Sequence, residues 1–287
     1  MARTPDYKAR VLAQETVWAA GAYDALSARL IAEAGFDAVM TSGFGVSASF
    51  LGQPDAELYT MTENLGVNRN IVNSVDIPVI SDIDTGYGNA INVMRTVREF
   101  ENIGVSAVIL EDQVSPKRCP ICVGGVEVVS LEEGAAKIAA AVHARRDPDM
   151  VIIARTDAAT PDEAIRRARA YVAAGADVIQ PISKCFTSYD GLKELRDACG
   201  VPLSLQILGW LEKDLTPQQI SSVAGMATFA LVPLMTATHA LRENLRQLYA
   251  TKSAQGLPRP ATDHNDFIKF IGFGEIEELQ LKYLTAR

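Results

Sequence analysis

The stretch PVISDIDTGYGN, residues 78–89, decides the fold and points to the chemistry. It opens with an apolar run that is too short for a helix and rich in β-branched residues, which is typical of a buried strand. Two carboxylates, Asp82 and Asp84, follow, and then a Gly-x-Gly turn. Because side chains two residues apart on a strand point to the same side, we expect Asp82 and Asp84 to enter one site at the strand's end.

A second acidic strand end lies further along the chain. The apolar residues 107–110 run directly into Glu111 and Asp112. Acidic side chains on successive strand ends supply the oxygen ligands that a hard divalent cation prefers, with water completing its shell. The alternative is that these carboxylates only cap the helices that follow. We favour the site, and we predict that Asp82, Asp84 and Glu111 hold Mg²⁺ directly or through water.

Strands and helices alternate along the rest of the chain. A helix end, a glycine and a new strand recur together at Gly35, Gly104 and Gly175. Eight such strands predict a parallel α/β fold, most simply a closed (β/α)₈ TIM barrel. The alternative, an open doubly wound sheet, is disfavoured because no Gly-x-Gly-x-x-Gly follows the first strand. The predicted strands cover 17–24, 38–41, 79–84, 107–111, 151–157, 176–181, 203–208 and 229–234.

The residues past the eighth predicted strand exceed what a minimal barrel needs. No linker or break in composition divides the chain, so we expect one barrel domain over 1–287. Its end, 235–287, is predicted to be a helical extension, with helices over 236–250 and 266–284 around a polar segment. We expect this extension to contact a neighbouring subunit.

Composition argues against several classes of partner. The net charge is −8, from 27 basic and 35 acidic residues, and no basic tract is present, which argues against nucleic acid. No run approaches the roughly 18 apolar residues of a membrane span, and the N-terminus lacks the apolar segment of a signal peptide. Four cysteines fit a reducing compartment. We predict a cytoplasmic protein.

In a barrel the active site lies at the C-terminal ends of the strands, which adds further candidates. The turn from Ser42 to Gly45 offers backbone N–H groups to a carboxylate or phosphonate. Arg155 can bind a substrate anion through two parallel hydrogen bonds, or else form an internal salt bridge with Asp157 or a neighbouring carboxylate. Tyr23 and Gln206 also stand at predicted strand ends.

The longest connection after a strand, residues 112–130, is a candidate lid over the site. It contains Cys119-Pro-Ile-Cys122, a pair that can indicate zinc or a redox couple, but no other cysteine or histidine has the spacing to complete a zinc site. A solvent-reaching thiol beside Lys117 and Arg118 would have a lowered pKa. Cys119 is therefore a candidate proton donor. The alternative is that Cys119 and Cys122 are small loop residues without a role.

Together these segments resemble the isocitrate lyase/phosphoenolpyruvate mutase superfamily, from about residue 15 to the end. The segments that carry the resemblance are GAYDALSA (21–28), LGQPD (51–55), DIDTGYGN (82–89), EDQ (111–113), PKRC (116–119) and IARTDA (153–158).

The resemblance implies a (β/α)₈ barrel that exchanges its last helix between subunits, usually in a dimer of dimers, and a small-molecule carboxylate substrate. It implies Mg²⁺, with Mn²⁺ as the alternative ion, and a lid of the lyase-like branch whose cysteine protonates a carbanion. The residues it implies are Asp82, Asp84 and Glu111 for the metal, Ser42, Gly43, Phe44 and Arg155 for the substrate anion, Tyr23 and Asp55 near the reacting end, and Lys117 and Cys119 on the lid.

Several positions depart from the family pattern, mostly at the end of the pocket away from the metal. The usual sixth-strand Glu and the usual seventh-strand Asn and Glu are missing, a small residue is replaced by Phe, and the lid lacks its usual Gly-His. We expect this end of the pocket to be more apolar and less charged, which argues against citrate-like substrates. The positions are Ile182, Gln206, Leu208, Phe44, and Pro120 with Ile121.

These observations predict a Mg²⁺-dependent lyase that breaks a C–C bond in a small 2-hydroxy or 2-oxo carboxylate through an enolate. Tyr23 or a metal-linked water would take the hydroxyl proton, and Cys119 would protonate the departing enolate. The alternative within enzymes is a C–P phosphonopyruvate mutase or hydrolase, or an oxaloacetate decarboxylase, on the same scaffold. The alternative from a different class is a binding protein that keeps the fold without catalysis.

Overall fold

A computed structural model describes residues 6–120, 125–182 and 184–284. Eight parallel strands follow one another around a closed barrel, so the predicted (β/α)₈ fold is confirmed. The first strand pairs with the eighth, with Val17 opposite Met226, and this pairing closes the barrel. The strands are β1 Val17–Ala22, β2 Ala38–Thr41, β3 Val79–Asp82, β4 Ala107–Glu111, β5 Val151–Thr156, β6 Val178–Pro181, β7 Leu203–Gln206 and β8 Ala224–Phe229.

Helices connect the strands, and their ends lie at residues suited to that place. At the start of the fifth helix, the side chain of Asn89 accepts hydrogen bonds from the N–H groups of Ile91 and Asn92. Gly104 ends the same helix with φ +94°. A π-helical turn, Ser47–Leu51, follows the third helix. The helices are α1 Tyr7–Leu12, α2 Ala25–Glu33, α3 Gly43–Val46, α4 Met61–Val72, α5 Ala90–Ile103, α6 Leu131–Ala144, α7 Pro161–Ala173, α8 Tyr189–Cys199, α9 Trp210–Asp214, α10 Pro217–Val223, α11 Val232–Thr251, α12 His264–Ile271 and α13 Phe273–Tyr283.

The strands bury side chains on both faces, which explains why they are almost continuously apolar. In β4, Ala107 and Ile109 belong to one buried cluster, which fills the barrel interior. Val108 and Leu110 point the other way and belong to the second cluster, between the barrel and its helices. The interior cluster also contains Met40, Ile80 and Ile153.

The prediction of the eighth strand over 229–234 is wrong. The strand lies earlier, at Ala224–Phe229, and residues 232–234 begin α11. The observed strand, AGMATF, consists mostly of small residues and is defined by its pairing with β1 and β7. A short apolar run suits a strand and a buried helix equally, so periodicity could not separate the two. The helix predicted over 266–284 is also divided, because Gly272 adopts φ +95° between α12 and α13.

The chain divides into two compact units, Met1–Leu234 and Met235–Arg287. The first unit contains the barrel. The second contains most of α11 together with α12 and α13, and within the described chain none of the residues in these three helices is buried. The exchange of a helix between subunits stays a prediction. Among the described residues, no helix combines the length and the apolar character needed to cross a membrane.

Candidate active site

Asp82 and Asp84 lie together at the C-terminal end of β3, but strand alternation is not the reason. β3 ends at Asp82, and Asp84 adopts a left-handed backbone with φ +49°. The Asp84 N–H donates to Asp82 Oδ1 at 3.0 Å and stabilises this turn. Gly43 packs against both carboxylates, since a Cβ atom there would lie 3.0 Å from Asp82 Oδ2 and 3.2 Å from Asp84 Oδ1. A side chain at position 43 would therefore crowd the acidic pair.

Glu111 lies next to Asp84, because its N–H donates to the Asp84 carbonyl at 3.0 Å, and we call Asp82, Asp84 and Glu111 the acidic cluster. The in-register pairing of β4 and β5 also places Glu111 beside Arg155. The guanidinium of Arg155 forms ion pairs with Glu111 Oε2 at 2.7 Å and with Asp157 Oδ1 at 2.8 Å. The internal salt bridge, one of the two interpretations of Arg155, is therefore present. Glu111 Oε1 is buried without a hydrogen-bond partner.

Lys117 brings the lid segment to the carboxylates. Its ammonium lies 2.5 Å from Asp84 Oδ1 and 3.1 Å from Asp55 Oδ1, and its side chain is 3% exposed. The Lys117 N–H donates to the carboxylate of Glu57 at 2.9 Å, and Ser115 Oγ donates to the same oxygen at 2.7 Å. Glu57 thus positions the segment that precedes the lid cysteine. The sequence gives no signal for this role, because Glu57 stands in a loop away from any strand end.

Burial is the main cause of the raised pKa values of the carboxylates in the acidic cluster. Burial raises the pKa of Asp82 to about 6, against the opposing effect of the charge on Lys117. Burial also raises the pKa of Glu111 well above its ordinary value, although the charge on Arg155 opposes the shift. Burial alone would lower the pKa of Lys117, but Asp84 and Glu111 raise it well above its usual range. An additional cation would stabilise this cluster.

A cavity lies beside the cluster at the C-terminal ends of the strands. Cys119 lines it and is 9% exposed, so the prediction of a solvent-reaching thiol is wrong. Cys122 lies outside the described residues. Tyr23 does not line this cavity, but lines an outer groove with Asp24 and Phe50, along α2 and α4. The polar and charged residues that line the cavity are Ser42, Asp55, Asp82, Arg155, Gln180 and Gln206.

The turn after β2 contributes two residues to the lining of the cavity, and anion binding by its N–H groups stays a prediction. Ser42 caps α3, with its Oγ accepting from the Gly45 N–H at 3.3 Å, and it lines the cavity together with Phe44. Gln206, at the end of β7, lines it with its Nε2 4.0 Å from Met40 Sδ. The structure therefore brings every predicted site residue except Tyr23 to the cavity or against the acidic cluster.

Two tyrosines beside the acidic cluster are missed by the sequence analysis. Tyr59 is 1% exposed, and its hydroxyl lies 2.9 Å from where a Cβ of Gly43 would stand. Burial and the charge of Asp84 raise the pKa of Tyr59 well above its ordinary value. Tyr87 donates to Asp84 Oδ2 at 3.0 Å and accepts from Asn64 Nδ2 at 2.8 Å. Tyr87 could have been found from its place in the Gly-Tyr-Gly turn, whereas Tyr59 lies in a loop without a motif.

Asp112 follows Glu111 but belongs to a buried network and does not line the cavity. Its carboxylate accepts hydrogen bonds from Thr156 Oγ1 at 2.8 Å and from the Tyr171 hydroxyl at 2.7 Å. Its carbonyl accepts from the Val129 N–H at 2.9 Å, which joins the two ends of the predicted lid. Asp112 therefore stabilises the base of the lid segment. The mobility of that segment stays a prediction.

The acidic cluster fits a divalent cation that keeps part of its water. Within residues 6–120, 125–182 and 184–284, no three His, Cys, Asp or Glu side chains are arranged to ligate one ion directly. Two of the predicted ligands, Asp84 and Glu111, are instead ion-paired with cationic side chains. Direct ligation by all three carboxylates is therefore not observed. Mg²⁺ usually binds through one or two carboxylates and retains several waters, and the unpartnered Glu111 Oε1 suits that mode.

A closed barrel of eight parallel strands, with a buried ionisable cluster and a cavity at the C-terminal strand ends, defines a (β/α)₈ barrel enzyme. A family model described as phosphoenolpyruvate phosphomutase matches residues 9–249. The chain belongs to the phosphoenolpyruvate mutase/isocitrate lyase superfamily, which confirms the resemblance found in the sequence.

Relatives with different activities are similar to this chain over nearly its whole length. The 2,3-dimethylmalate lyase of Eubacterium barkeri is 39% identical over 282 residues, which cover 96% of each chain. The structure of a phosphoenolpyruvate phosphomutase from Streptomyces platensis subsp. rosaceus has a TM-score of 0.89 at 33% identity. The match covers 97% of this chain and 99% of the phosphomutase chain. The structure of a phosphonopyruvate hydrolase in complex with oxalate and Mg²⁺ has a TM-score of 0.88 at 31% identity. The match covers 99% of this chain and 100% of the hydrolase chain.

Proposed function

We propose that this protein is a Mg²⁺-dependent lyase that cleaves a C–C bond in a small 2-hydroxy or 2-oxo carboxylate. The observation that carries the proposal is the buried cluster of Asp82, Asp84 and Glu111 beside a cavity that Cys119 also lines. The similarity to 2,3-dimethylmalate lyase and to a phosphonopyruvate hydrolase bound to oxalate and Mg²⁺ supports it. A cytoplasmic location stays a prediction.

Asp82, Asp84 and Glu111 are the residues that would hold the ion, in part through water, with Mn²⁺ as the alternative. When bound, the ion supplies a Lewis acid that stabilises negative charge developing on a substrate oxygen. The chain supplies a site that excludes solvent, since these three residues are 6%, 0% and 1% exposed. Electrostatic interactions are little screened by water in such a place, so fixed charges act strongly on the substrate.

The chain's own residues bind the substrate and move protons. We assign the substrate carboxylate to the backbone N–H groups of Gly43 and Phe44 and to the guanidinium of Arg155. For a 2-hydroxy acid, the electron pair of the O–H bond forms the new carbonyl, and a water molecule takes the proton, because Tyr23 lies outside the cavity. The electron pair of the broken C–C bond passes into the carbonyl group beside the departing carbon as an enolate, and the Sγ–H of Cys119 is the proton donor that we assign to that carbon. A 2-oxo acid first adds water at its 2-carbonyl and then follows the same step.

A metal-dependent screen of 2-hydroxy and 2-oxo acids, including hydrophobic ones, tests this proposal. We expect at least one acid to be cleaved with Mg²⁺ or Mn²⁺ and to remain intact with EDTA. Asp84→Ala should slow cleavage by about 10³-fold or more, while Asp190→Ala, at an exposed position on α8, should not change it. Cleavage that survives both EDTA and Asp84→Ala would contradict the proposal. Binding of Mg²⁺ and of acids without any turnover would favour the non-catalytic binding protein.

Carbon–phosphorus chemistry is the second candidate, because the phosphomutase and the phosphonopyruvate hydrolase have such similar folds. The charge of the cavity argues against it. Arg155 is the one cation among the described lining residues, and we assign it to the substrate carboxylate, so no second lining cation is left for a phosphonate group. Phosphonopyruvate and oxaloacetate therefore belong in the same screen. If phosphate release from phosphonopyruvate, or CO₂ release from oxaloacetate, is faster than the cleavage of every other acid in the screen, these alternatives are favoured.

We also propose that the chain forms a homo-oligomer through its C-terminal helices, as a dimer of dimers with an exchanged helix. The support is their exposed apolar surface, with Leu241, Leu245, Phe273 and Ile276 each at least 54% exposed. Light scattering should give a species larger than the 30.9 kDa chain, and Leu245→Asp should shift it towards that mass. A single 30.9 kDa species of the unmodified protein at micromolar concentration would contradict the proposal.

A further inference from the structure

The part of the cavity that lies at the ends of β6, β7 and β8, away from β3 and β4 in the barrel, is apolar. Ile182 follows β6, Leu208 follows β7, and Leu231 follows β8, and all three line the cavity. Each of these three side chains is half-buried, so each presents part of its surface to the cavity. We call these three residues the alkyl wall.

The polar side chains near the alkyl wall carry no charge. Gln180 and Gln206 both line the cavity. The Oε1 of Gln180 already accepts a hydrogen bond from Ser204 Oγ at 2.7 Å. The Nε2 of Gln206 lies 4.0 Å from the sulfur of Met40, which is a weak acceptor. These amides can orient a ligand, but they cannot neutralise an anion.

Arg155 is the one cation among the described residues that line the cavity. Arg155 lines the cavity and is paired with Glu111 and Asp157. Lys117 is paired with carboxylates of the acidic cluster and does not line the cavity. Lys184 is exposed, and its Nζ donates to the carbonyl of Pro120 at 2.6 Å. A second carboxylate placed against the alkyl wall would therefore lose its water without gaining a counter-ion.

We infer that the alkyl wall is a subsite for an uncharged, branched alkyl group. The substrate is then a 2-hydroxy or 2-oxo acid that binds next to the acidic cluster, on what we call the acidic side of the cavity. Its carboxylate and the carbonyl group that accepts the electron pair of the broken bond lie on this side, and its other end is alkyl carbon. Burial of an alkyl group against these side chains is favourable, whereas burial of an unpaired carboxylate is costly. The inference rests on the proposed function for the position of the carboxylate end, and it adds the chemistry of the other end.

Two 2-oxo acids of matched shape test the inference. 5-Methyl-2-oxohexanoate and 2-oxoglutarate share one backbone and differ by an isopropyl group in place of the distal carboxylate. Oxalate, which has only the carboxylate end, reports on the acidic side alone. In calorimetric titrations with Mg²⁺ present, we expect oxalate to bind and the branched acid to bind about 10-fold more tightly than 2-oxoglutarate, or better.

Oxalate, 5-methyl-2-oxohexanoate and 2-oxoglutarate together distinguish a failure of the alkyl subsite from a failure of the proposed function. If oxalate binds but 2-oxoglutarate binds as tightly as the branched acid, or if neither long acid binds, the alkyl subsite is wrong and the proposed function stands. If oxalate fails to bind in the presence of Mg²⁺, the proposed function fails and this inference fails with it.

Variants of the wall give a second, independent measurement. Ile182→Asn should weaken binding of 5-methyl-2-oxohexanoate by about 10-fold and leave oxalate binding unchanged. Leu208→Lys should move the preference towards 2-oxoglutarate, because it supplies the missing cation. Ile91→Asn, at a residue that is 72% exposed on α5, is the matched control and should change neither. Unchanged binding of 5-methyl-2-oxohexanoate and 2-oxoglutarate in both wall variants would overturn the inference. Oxalate binding is the control for folding: a variant that still binds oxalate has not lost affinity for a longer acid through misfolding.

Discussion

The two sides of one cavity are built in opposite ways. At the ends of β3 and β4, buried carboxylates and the cations paired with them concentrate charge in a place that water barely reaches. At the ends of β6, β7 and β8, the lining is alkyl and amide, without an unpaired cation among the described residues. Under the proposed function, different strands carry the chemistry and the selectivity.

The largest effect is expected from breaking the acidic side. Asp84→Ala removes a buried carboxylate that accepts from Tyr87 and pairs with Lys117, and it leaves that ammonium buried with one partner fewer. We expect kcat/KM to fall by about 10³-fold or more and the stabilisation by Mg²⁺ in thermal unfolding to disappear. The apolar side should keep its preference among any ligands that still bind. Retained Mg²⁺ stabilisation in this variant would show that the acidic side is not the metal site.

The next effect concerns Cys119, which lines the cavity. If its thiol protonates the carbanion, Cys119→Ser should lower kcat by about 10²-fold and leave KM and Mg²⁺ affinity nearly unchanged, as loss of a proton donor in the transition state would. Cys122→Ser is the matched control and should have little effect. Near-normal kcat in both variants would mean that Cys119 is not the acid, and the lyase assignment would then lose its main support over C–P chemistry and decarboxylation.

A third test measures how much the buried charge of Asp82 lowers the free energy of unfolding. Because burial raises the pKa of Asp82 from 3.8 to about 6, the folded protein binds this proton more tightly than the unfolded chain does. The free energy of unfolding therefore falls as pH rises between these values, and the charged carboxylate destabilises the metal-free protein at neutral pH. Asp82→Asn should raise the free energy of unfolding in EDTA at pH 7 by about 1–3 kcal/mol.

The pH dependence of this stability difference shows whether the charge of Asp82 is its cause. The difference between Asp82→Asn and the unmodified protein in urea unfolding should shrink as pH falls from 7 and vanish below about pH 4. Asp190→Asn, on the exposed face of α8, should show no such difference at any pH. A difference for Asp82→Asn that is the same at pH 4 and pH 7 would mean that packing, not charge, is responsible.

The smallest effect is expected at the contact that holds the lid segment to the acidic side. Glu57 accepts from Thr85 Oγ1, Ser115 Oγ and the Lys117 N–H. Glu57→Gln replaces these charge-assisted hydrogen bonds with weaker ones, so we expect kcat/KM to fall by about 10-fold and proteolysis of the lid to accelerate. Glu194→Gln, at an exposed position on α8, is the control. Unchanged proteolysis in Glu57→Gln would show that this contact does not hold the lid.

The sequence by itself determined the barrel, the acidic side and the family. Apolar strand segments ending in Asp82 and Glu111, and glycines that end helices before new strands, are local patterns, and a parallel barrel places all strand ends at one face. The apolar character of the opposite side also followed from single positions such as Ile182 and Leu208. These features depend on residue type and on order along the chain, which the sequence displays directly.

Only the tertiary structure decided the rest. β8 was misplaced because its small residues form a strand only through pairing with β1 and β7. Tyr23 was assigned to the site from its strand end, yet its side chain lines an outer groove, while Tyr59 and Glu57 reach the acidic side from loops. The direction of a side chain after a strand ends, and the approach of a distant loop, depend on contacts between segments far apart in the chain, which no local pattern records.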